Sequence, residues 1–334
     1  ARGGVRLRMF GQNIIEVLGG KRIHPAWIIP GGVADPLTEE KREQIRATIP
    51  EAKAFALRTL EWFLPMMANF RDEIDHFANF PTMHMGLISP RGTLEHYDGN
   101  LRLIDAEGSV VEPAIEPYGY KDVIGESVED FSYLKSPYYK PLGYPDGIYR
   151  VGPLSRLNIV ERAGTPLANE ALAEFKRLSM AERQSSFFYH YARLVEIIYG
   201  IEQIELLLES PDILNTHVQA LASLNSFEGV GISEAPRGTL IHHYKTDEAG
   251  LVTWANLIIA TGNNSLAMDR GVLQAAKQFV NGSKLEEGAL NRVEAVIRCF
   301  DPCLSCSTHA FGQMPLQVSL LDAGGDVLDE VRRG

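Results

Sequence analysis

Apolar positions fall into helical stripes broken by short alternating runs. The first stripe occupies residues 1–20, where Ile14, Ile15, Val17 and Leu18 precede the glycine pair Gly19-Gly20, a stop signal. His24-Pro25 through Gly31-Gly32 reads as a turn-rich loop. Thr38 is placed to N-cap a helix ending at Arg46. Pro50 suits the first turn of the next helix, with Ala52, Phe55, Ala56, Leu60 and Phe63 as its stripe. Pro65 predicts a kink or break there, followed by more helix to about Phe80.

The texture changes near residue 93. Leu94–Tyr97 and Leu101–Ile104 around Asp98-Gly99-Asn100 predict a hairpin, and Asp105–Gly108 turns the chain into Val110-Val111. Residues 113–153, rich in Pro, Tyr and Gly, read as a long irregular segment. The helical signal is strongest from Ala168 to Glu209, where Leu194, Ile197, Ile198, Ile201, Ile204 and Leu208 share a face. Asp212–Leu224 is expected to add a helix. Leu240–Tyr244 and Leu251–Ile259 read as strands about a polar turn, and 270–298 as helix. Leu316–Leu321 and Val327–Val331 predict a terminal hairpin about Asp322–Gly325.

The length of 334 residues suits about two domains of ~150 residues. With 45% apolar, 22% charged and 9% aromatic residues, the chain is an ordinary globular one, which excludes disorder as its main state. The net charge is −11, and no Lys/Arg-rich block interrupts it. That argues against a nucleic-acid or anionic-membrane partner. Apolar stretches such as Leu257–Ala260 are too short to span a bilayer. The opening Ala1–Met9 lacks the apolar core of a signal peptide. It starts inside a helical pattern without an initiator Met, so the chain is expected to lack its natural start. A cytoplasmic location is expected.

The cysteines are Cys299, Cys303 and Cys306. This clustering excludes a disulfide scaffold and suggests a reducing compartment with local metal or redox chemistry. Asp301-Pro302-Cys303-Leu304-Ser305-Cys306-Ser307-Thr308-His309 is the sharpest motif. Cys-x-x-Cys lets two thiolates reach one metal, and His309 could meet a second cation. Plainer readings are a buried cysteine pair, half a zinc site or a redox dithiol. The second motif is Glu234-Ala235-Pro236-Arg237-Gly238. Arg237 between Pro and Gly sits on a constrained turn that can aim its planar donors. Taken alone, that motif favours a surface turn with an Arg237–Glu234 ion pair. Cys299 reads as a small buried side chain, His242-His243 as strand residues on opposite faces, and Met66-Met67 and Met83-x-Met85 as core filler.

Together these motifs resemble the catalytic large subunit of nickel–iron hydrogenases, and Val151-Gly152-Pro153-Leu154-Ser155-Arg156 is similar to another segment of that family. The wording from Asp301 to Leu316 is most similar to the soluble, bidirectional NAD-reducing branch. The resemblance implies an α+β fold, mainly helical, with a long-helix bundle and small peripheral antiparallel sheets. It implies one compact unit because both ends of the family's chain meet at the metals. The family carries a further Cys-x-x-Cys near its N-terminus that this sequence lacks. Residues 1–309 are therefore expected to be the C-terminal portion of the catalytic domain, and 310–334 a maturation extension cut off after His309 by an endopeptidase.

Carried over residue by residue, the resemblance makes Cys303 a terminal nickel ligand and Cys306 a bridge between nickel and an iron bearing carbon monoxide and cyanides. Arg237, following Pro236, would face the open side and donate to one cyanide, and Thr261 to the other. His309 would bind Mg2+, and Asp301 would tune Arg237 by ion pairing. The implied reaction is reversible heterolytic cleavage of H2, which needs an electrophile for the hydride and a base for the proton. Cys303 is the preferred base, because a guanidinium does not readily give up its proton. Electrons would leave through an iron–sulfur small subunit to FMN-containing diaphorase subunits and NAD. The rival readings are a metal-free scaffold subunit of a respiratory complex, which the Cys303/Cys306 motif opposes, and an H2-sensing subunit, which the chain beyond Ala310 opposes.

Overall fold

The computed structural model describes residues 2–130, 132–221, 225–308 and 316–333. Helix α1 (Arg2–Gly19) lies where its stripe predicted it. A short ladder, β1 (Ile28–Ile29) with β2 (Gly32–Val33), follows. Thr38 caps α2 (Glu39–Arg46) by accepting from the Lys41 N–H at 3.3 Å. Pro50 lies in the first turn of α3 (Ile49–Met67). Pro65 does not break α3, which continues to Met67. It forfeits the one bond its N–H would have given to the preceding turn, and the helix ends two residues later. A 3-10 turn, Ala68–Phe70, leads into α4 (Arg71–His76).

The central sheet differs from the expected pattern. β3 (Met83–Ile88), β4 (Asn100–Ile104) and β5 (Val110–Ile115) are joined in the order β5-β4-β3. The hairpin expected across Leu94–Ile104 is absent: β4 pairs antiparallel with β3 from His84↔Ile104 to Ile88↔Asn100, and Leu94 makes one bridge to Ile88. Every residue of β3 is buried, so its apolar run lacks the alternation that marks a half-exposed strand. Pairing with β4 sets Met85 and Leu87 beside Leu103 and Leu101 in one core. The segment 113–153 is also more regular than expected. It holds α5 (Tyr120–Val123), a hairpin of β6 (Ile124–Glu129) with β7 (Ser132–Tyr139), and β8 (Tyr149–Arg150), which completes the central sheet parallel to β3.

Next come α6 (Pro153–Ile159), α7 (Pro166–Lys176), α8 (Met180–Arg183) and the long α9 (Phe188–Leu208). No helix forms in residues 212–221. That stretch pairs with the loop before α2 instead, through Val33 N–H to Val218 O (3.0 Å) and Ala220 N–H to Gly31 O (2.9 Å). A three-stranded antiparallel sheet follows, β9 (Glu228–Ala235), β10 (Gly238–Thr246) and β11 (Val252–Ile258), in the order β11-β10-β9. β9 was not anticipated, since Gly229 and Gly231 dilute its apolar alternation. The chain then runs through α10 (Ser265–Phe279), α11 (Glu287–Phe300) and α12 (Leu304–Thr308) to the expected hairpin, β12 (Leu316–Leu321) with β13 (Val327–Arg333).

Two apolar clusters meet at β3. Met83, Met85 and Leu87 face the sheet side, while Ile88 joins the helical core with Val195, Ile198 and Ile201 of α9. Gly86 allows α6 to approach: a Cβ there would lie 2.9 Å from Ile159 Cδ1 and 3.2 Å from Arg156 Cγ. α1 is held less deeply, with no fully buried residue, and an open groove of about 880 Å³ lined by Leu7, Phe55, Trp62, Leu194 and Ile204 lies where it meets α3 and α9. No described helix is long and apolar enough to cross a membrane.

α9 also completes α7. The buried Glu202 carboxylate accepts from the Leu167 and Ala168 N–H groups, both at 3.0 Å, satisfying donors that the first turn of α7 leaves open. Glu202→Ala is expected to destabilise the chain by about 2–3 kcal/mol. A lower urea midpoint at unchanged slope is the expected result, and an unchanged midpoint would remove this role.

Candidate metal centre

The cysteine motif starts where α11 stops. Asp301 takes a left-handed conformation (φ 52°, ψ 52°), and Pro302 prevents the helix from resuming. Cys303 then enters α12, its N–H donating to Thr261 Oγ1 at 3.1 Å. Thr261 is buried just past β11. Its hydroxyl still has a proton to donate while accepting from Cys303. The Cα atoms of Cys303 and Cys306 are 5.3 Å apart, and their sulfurs are joined as a disulfide. The cross-link closes one turn and staples no larger part of the fold. The same convergence lets both thiolates reach one metal once the pair is reduced.

Arg237 reaches this turn from the other side. Ala235↔Gly238 is the last pair of the β9–β10 ladder, which leaves Pro236 and Arg237 as a two-residue loop. Gly238 has φ 141°, and a Cβ there would meet Val151 Cγ2 at 2.1 Å, so the loop can pass over β8 only with glycine at this position. Arg237 Nε donates to the Asp301 carbonyl at 2.5 Å and lies 3.6 Å from Asp301 Oδ2. The Arg237–Asp301 pairing expected from the sequence is present. The plainer alternative, Arg237 with Glu234, is not: the Glu234 carboxylate is fully buried and bonds to Arg156 at 2.6 Å. Glu234 lies on the inner face of β9, whereas Arg237 lies at its tip.

Sequence reasoning missed the groups that hold this arrangement. Asn264 Oδ1 accepts from the Val151 N–H at 2.9 Å, and its Nδ2 donates to Arg237 O at 3.5 Å. Asn263 Nδ2 donates to Thr239 O at 2.8 Å. The available signal was a polar pair, Asn263-Asn264, directly after an apolar strand run. Tyr189 of α9 donates to Val151 O at 2.8 Å and packs on Phe300 with ring centroids 4.9 Å apart.

The bland readings fit. Cys299 is buried, its thiol pushed up to about 12 by desolvation, with His190 Nε2 at 3.5 Å from its sulfur. Burial, then Arg193, brings His190 down to about 4, so this imidazole is neutral at pH 7. His243 is buried between Tyr120 and Glu228, while His242 lies on the other face of β10 beside Tyr244. His309 lies outside the described residues. Among the described residues no three His, Cys, Asp or Glu side chains converge on one point. The described donor set is the Cys303/Cys306 pair, and two soft thiolates at one point fit part of a nickel coordination shell.

The nickel-dependent hydrogenase family matches residues 97–309. The NAD-reducing hydrogenase HoxS subunit beta of Cupriavidus necator is 38% identical over 339 residues, spanning 98% of this chain and 69% of that protein. A vhc-type F420-non-reducing hydrogenase chain of Methanococcus voltae is 38% identical over 95% of this chain and 67% of its own length. A crystal structure of an NAD+-reducing NiFe-hydrogenase in the H2-reduced state superposes with a TM-score of 0.88 at 37% identity, covering 92% of this chain and 68% of the other. An NiFeSe hydrogenase of Desulfovibrio vulgaris Hildenborough shares the fold, with a TM-score of 0.70 at 19% identity. A mainly helical α+β scaffold with a Cys-x-x-Cys turn under an arginine loop is that of a hydrogenase large subunit. This chain belongs to the nickel-dependent hydrogenase family and is an enzyme of that class.

The environments of the cysteines predict their reactivity. After mild reduction, alkylation at pH 8 is expected to label Cys303 and Cys306 in the folded chain and spare Cys299. Peptide mass spectrometry reads the result, and labelling of Cys299 at a comparable rate would contradict the burial argument.

Proposed function

We propose that the Asp301–His309 turn supplies part of the ligand set of a nickel–iron centre, and that the chain works in reversible heterolytic cleavage of H2. The observation that carries this reading is the convergence of Cys303 and Cys306 next to the Arg237–Asp301 contact and Thr261. In the reduced pair Cys303 would hold the nickel and Cys306 the nickel and the iron, while His309 would hold Mg2+. The bound centre supplies the Lewis acidity that polarises H2. The chain's own groups do the rest. The Cys303 sulfur would accept the proton, Asp301 fixes the guanidinium of Arg237, and Pro236, Arg237 and Thr261 would surround the diatomic ligands of the iron.

Electrons pass to an iron–sulfur small subunit, then through FMN-containing diaphorase subunits to NAD, in a cytoplasmic complex. The similarity to the NAD-reducing relatives supports this acceptor. In the assembled complex, Cys303→Ser and Cys306→Ser are each expected to lose nickel and iron by elemental analysis. Arg237→Lys is expected to keep both metals and lower hydrogen-dependent NAD reduction about 10²-fold, since lysine lacks the planar fork. Unchanged metal content in both serine variants would refute the ligand assignment, and near-normal turnover in Arg237→Lys would refute the role of that arginine.

Residues 1–309 would form the catalytic portion and 310–334 a maturation extension removed after His309. Asp329 of β13 accepts from the Leu285 N–H at 2.7 Å, which ties the terminal hairpin to the loop before α11. Before cleavage this contact would hold the cysteine turn short of its final position. Mass spectrometry of the active, nickel-loaded complex is expected to show a C-terminus at His309, and a peptide reaching Gly334 would refute processing.

A further inference from the structure

We infer that Arg156 is the positioning residue for Arg237: it holds the Ala235-Pro236 backbone so that the loop delivers the Arg237 guanidinium to Asp301. This rests on the reading of Arg237 given above. Arg156 is 1% exposed and uses its donors in two directions. Nε and Nη2 grip Glu196 of α9 in a fork at 2.5 and 2.8 Å. Nη1 bonds to Glu234 Oε2 at 2.6 Å. The same two terminal nitrogens reach the backbone, Nη1 at 3.1 Å from Ala235 O and Nη2 at 3.4 Å from Pro236 O. Those are the two carbonyls immediately before Arg237.

The loop needs such a grip. Pro236 has no N–H, so the loop cannot be pinned by a backbone donor at that residue. The anchors of Arg156 are themselves fixed. Glu234 Oε1 accepts from the Leu87 N–H at 3.0 Å and the Thr239 hydroxyl at 2.7 Å, binding it to β3 and β10. On the far side Asn264 reaches Arg237 O. The loop is thus clamped from beneath by a guanidinium and laterally by an amide. Lysine at 156 would keep the charge but could not span two carboxylates and two carbonyls from one nitrogen.

The full chain, labelled with ¹⁵N-arginine, provides the direct test. The Arg237 Nε–H resonance, assigned by its loss in Arg237→Lys, reports the bond to Asp301. It is expected to shift in Arg156→Lys while the Arg150 Nε–H resonance stays in place. An unmoved Arg237 signal overturns the inference. Should Arg156→Lys fail to fold, Glu196→Gln, which weakens the fork but keeps its shape, is expected to move the Arg237 signal in the same direction, and its failure to do so is equally decisive. In the assembled complex, Arg156→Lys is expected to lower kcat about tenfold with KM for H2 and metal content unchanged, and adding it to Arg237→Lys to cost less than about twofold more. Fully additive losses would mean that Arg156 acts independently. Normal turnover in Arg237→Lys alone would instead defeat the functional reading of Arg237 and leave the resonance test to decide this inference.

Discussion

The charges of buried Arg156 and Glu234 and of half-buried Glu196 fix how α6, α9, β3 and β9 are set against one another on the apolar clusters they share. Burial works against the charged guanidinium of Arg156, but Glu196 and Glu234 outweigh it and hold its pKa above the ordinary value. Such a cluster is poor evidence of net stability, because desolvation offsets most of the attraction. Its geometric effect is strong. Losing one partner strands a buried charge, at a cost of about 3–5 kcal/mol. Arrangements of α6, α9, β3 and β9 that part these groups are therefore disfavoured, and the arginine loop inherits that rigidity.

A second buried arginine does related work by different means. Arg150 meets no carboxylate among the hydrogen bonds of its described neighbours. It donates to the carbonyls of Ala78 and Gln184, and its guanidinium lies 4.6 Å from the Phe80 ring centroid and 5.9 Å from that of Phe300. Desolvation lowers its pKa to about 10, which leaves it charged at pH 7. Backbone dipoles and aromatic faces stand in for a counter-ion. Ala78 itself sits at φ 48°, a conformation unusual for alanine. Phe300 closes α11 directly before Asp301, so this packing secures the root of the cysteine turn.

The chemistry-bearing residues were legible in the sequence because they lie within two short motifs, and the structure brings Arg237, Asp301, Thr261 and Cys303 together. The long helices were legible as well, since the apolar stripes of α1, α3 and α9 pack against one core. What escaped was whatever depends on partners far along the chain. β3 carries no alternation because both its faces are covered, and its pairing with β4 displaced a plausible local hairpin. Asp212–Leu221 has helical composition but is taken up by backbone bonds to Gly31 and Val33. Glu234 and Arg237 are neighbours in sequence, and only the end of the β9–β10 ladder at Ala235 and Gly238 shows that one is buried on the strand while the other lies in the loop. His309 falls outside the described residues.

Asp301 meets three separate demands. Its backbone adopts a left-handed conformation, its carbonyl accepts from Arg237, and its carboxylate lies beside the same guanidinium. Glycine would meet the first two. Asparagine would meet them and offer a neutral oxygen for the third. β-branched residues fail at the first, because their side chains clash with the backbone in that region. Drift at this position is therefore channelled toward a very small alphabet, and any path away from aspartate gives up charge before it gives up shape. A lineage of related chains should record that order: asparagine or glycine first at 301, with compensating change at 237, and bulky residues only where the cysteine turn itself has been abandoned.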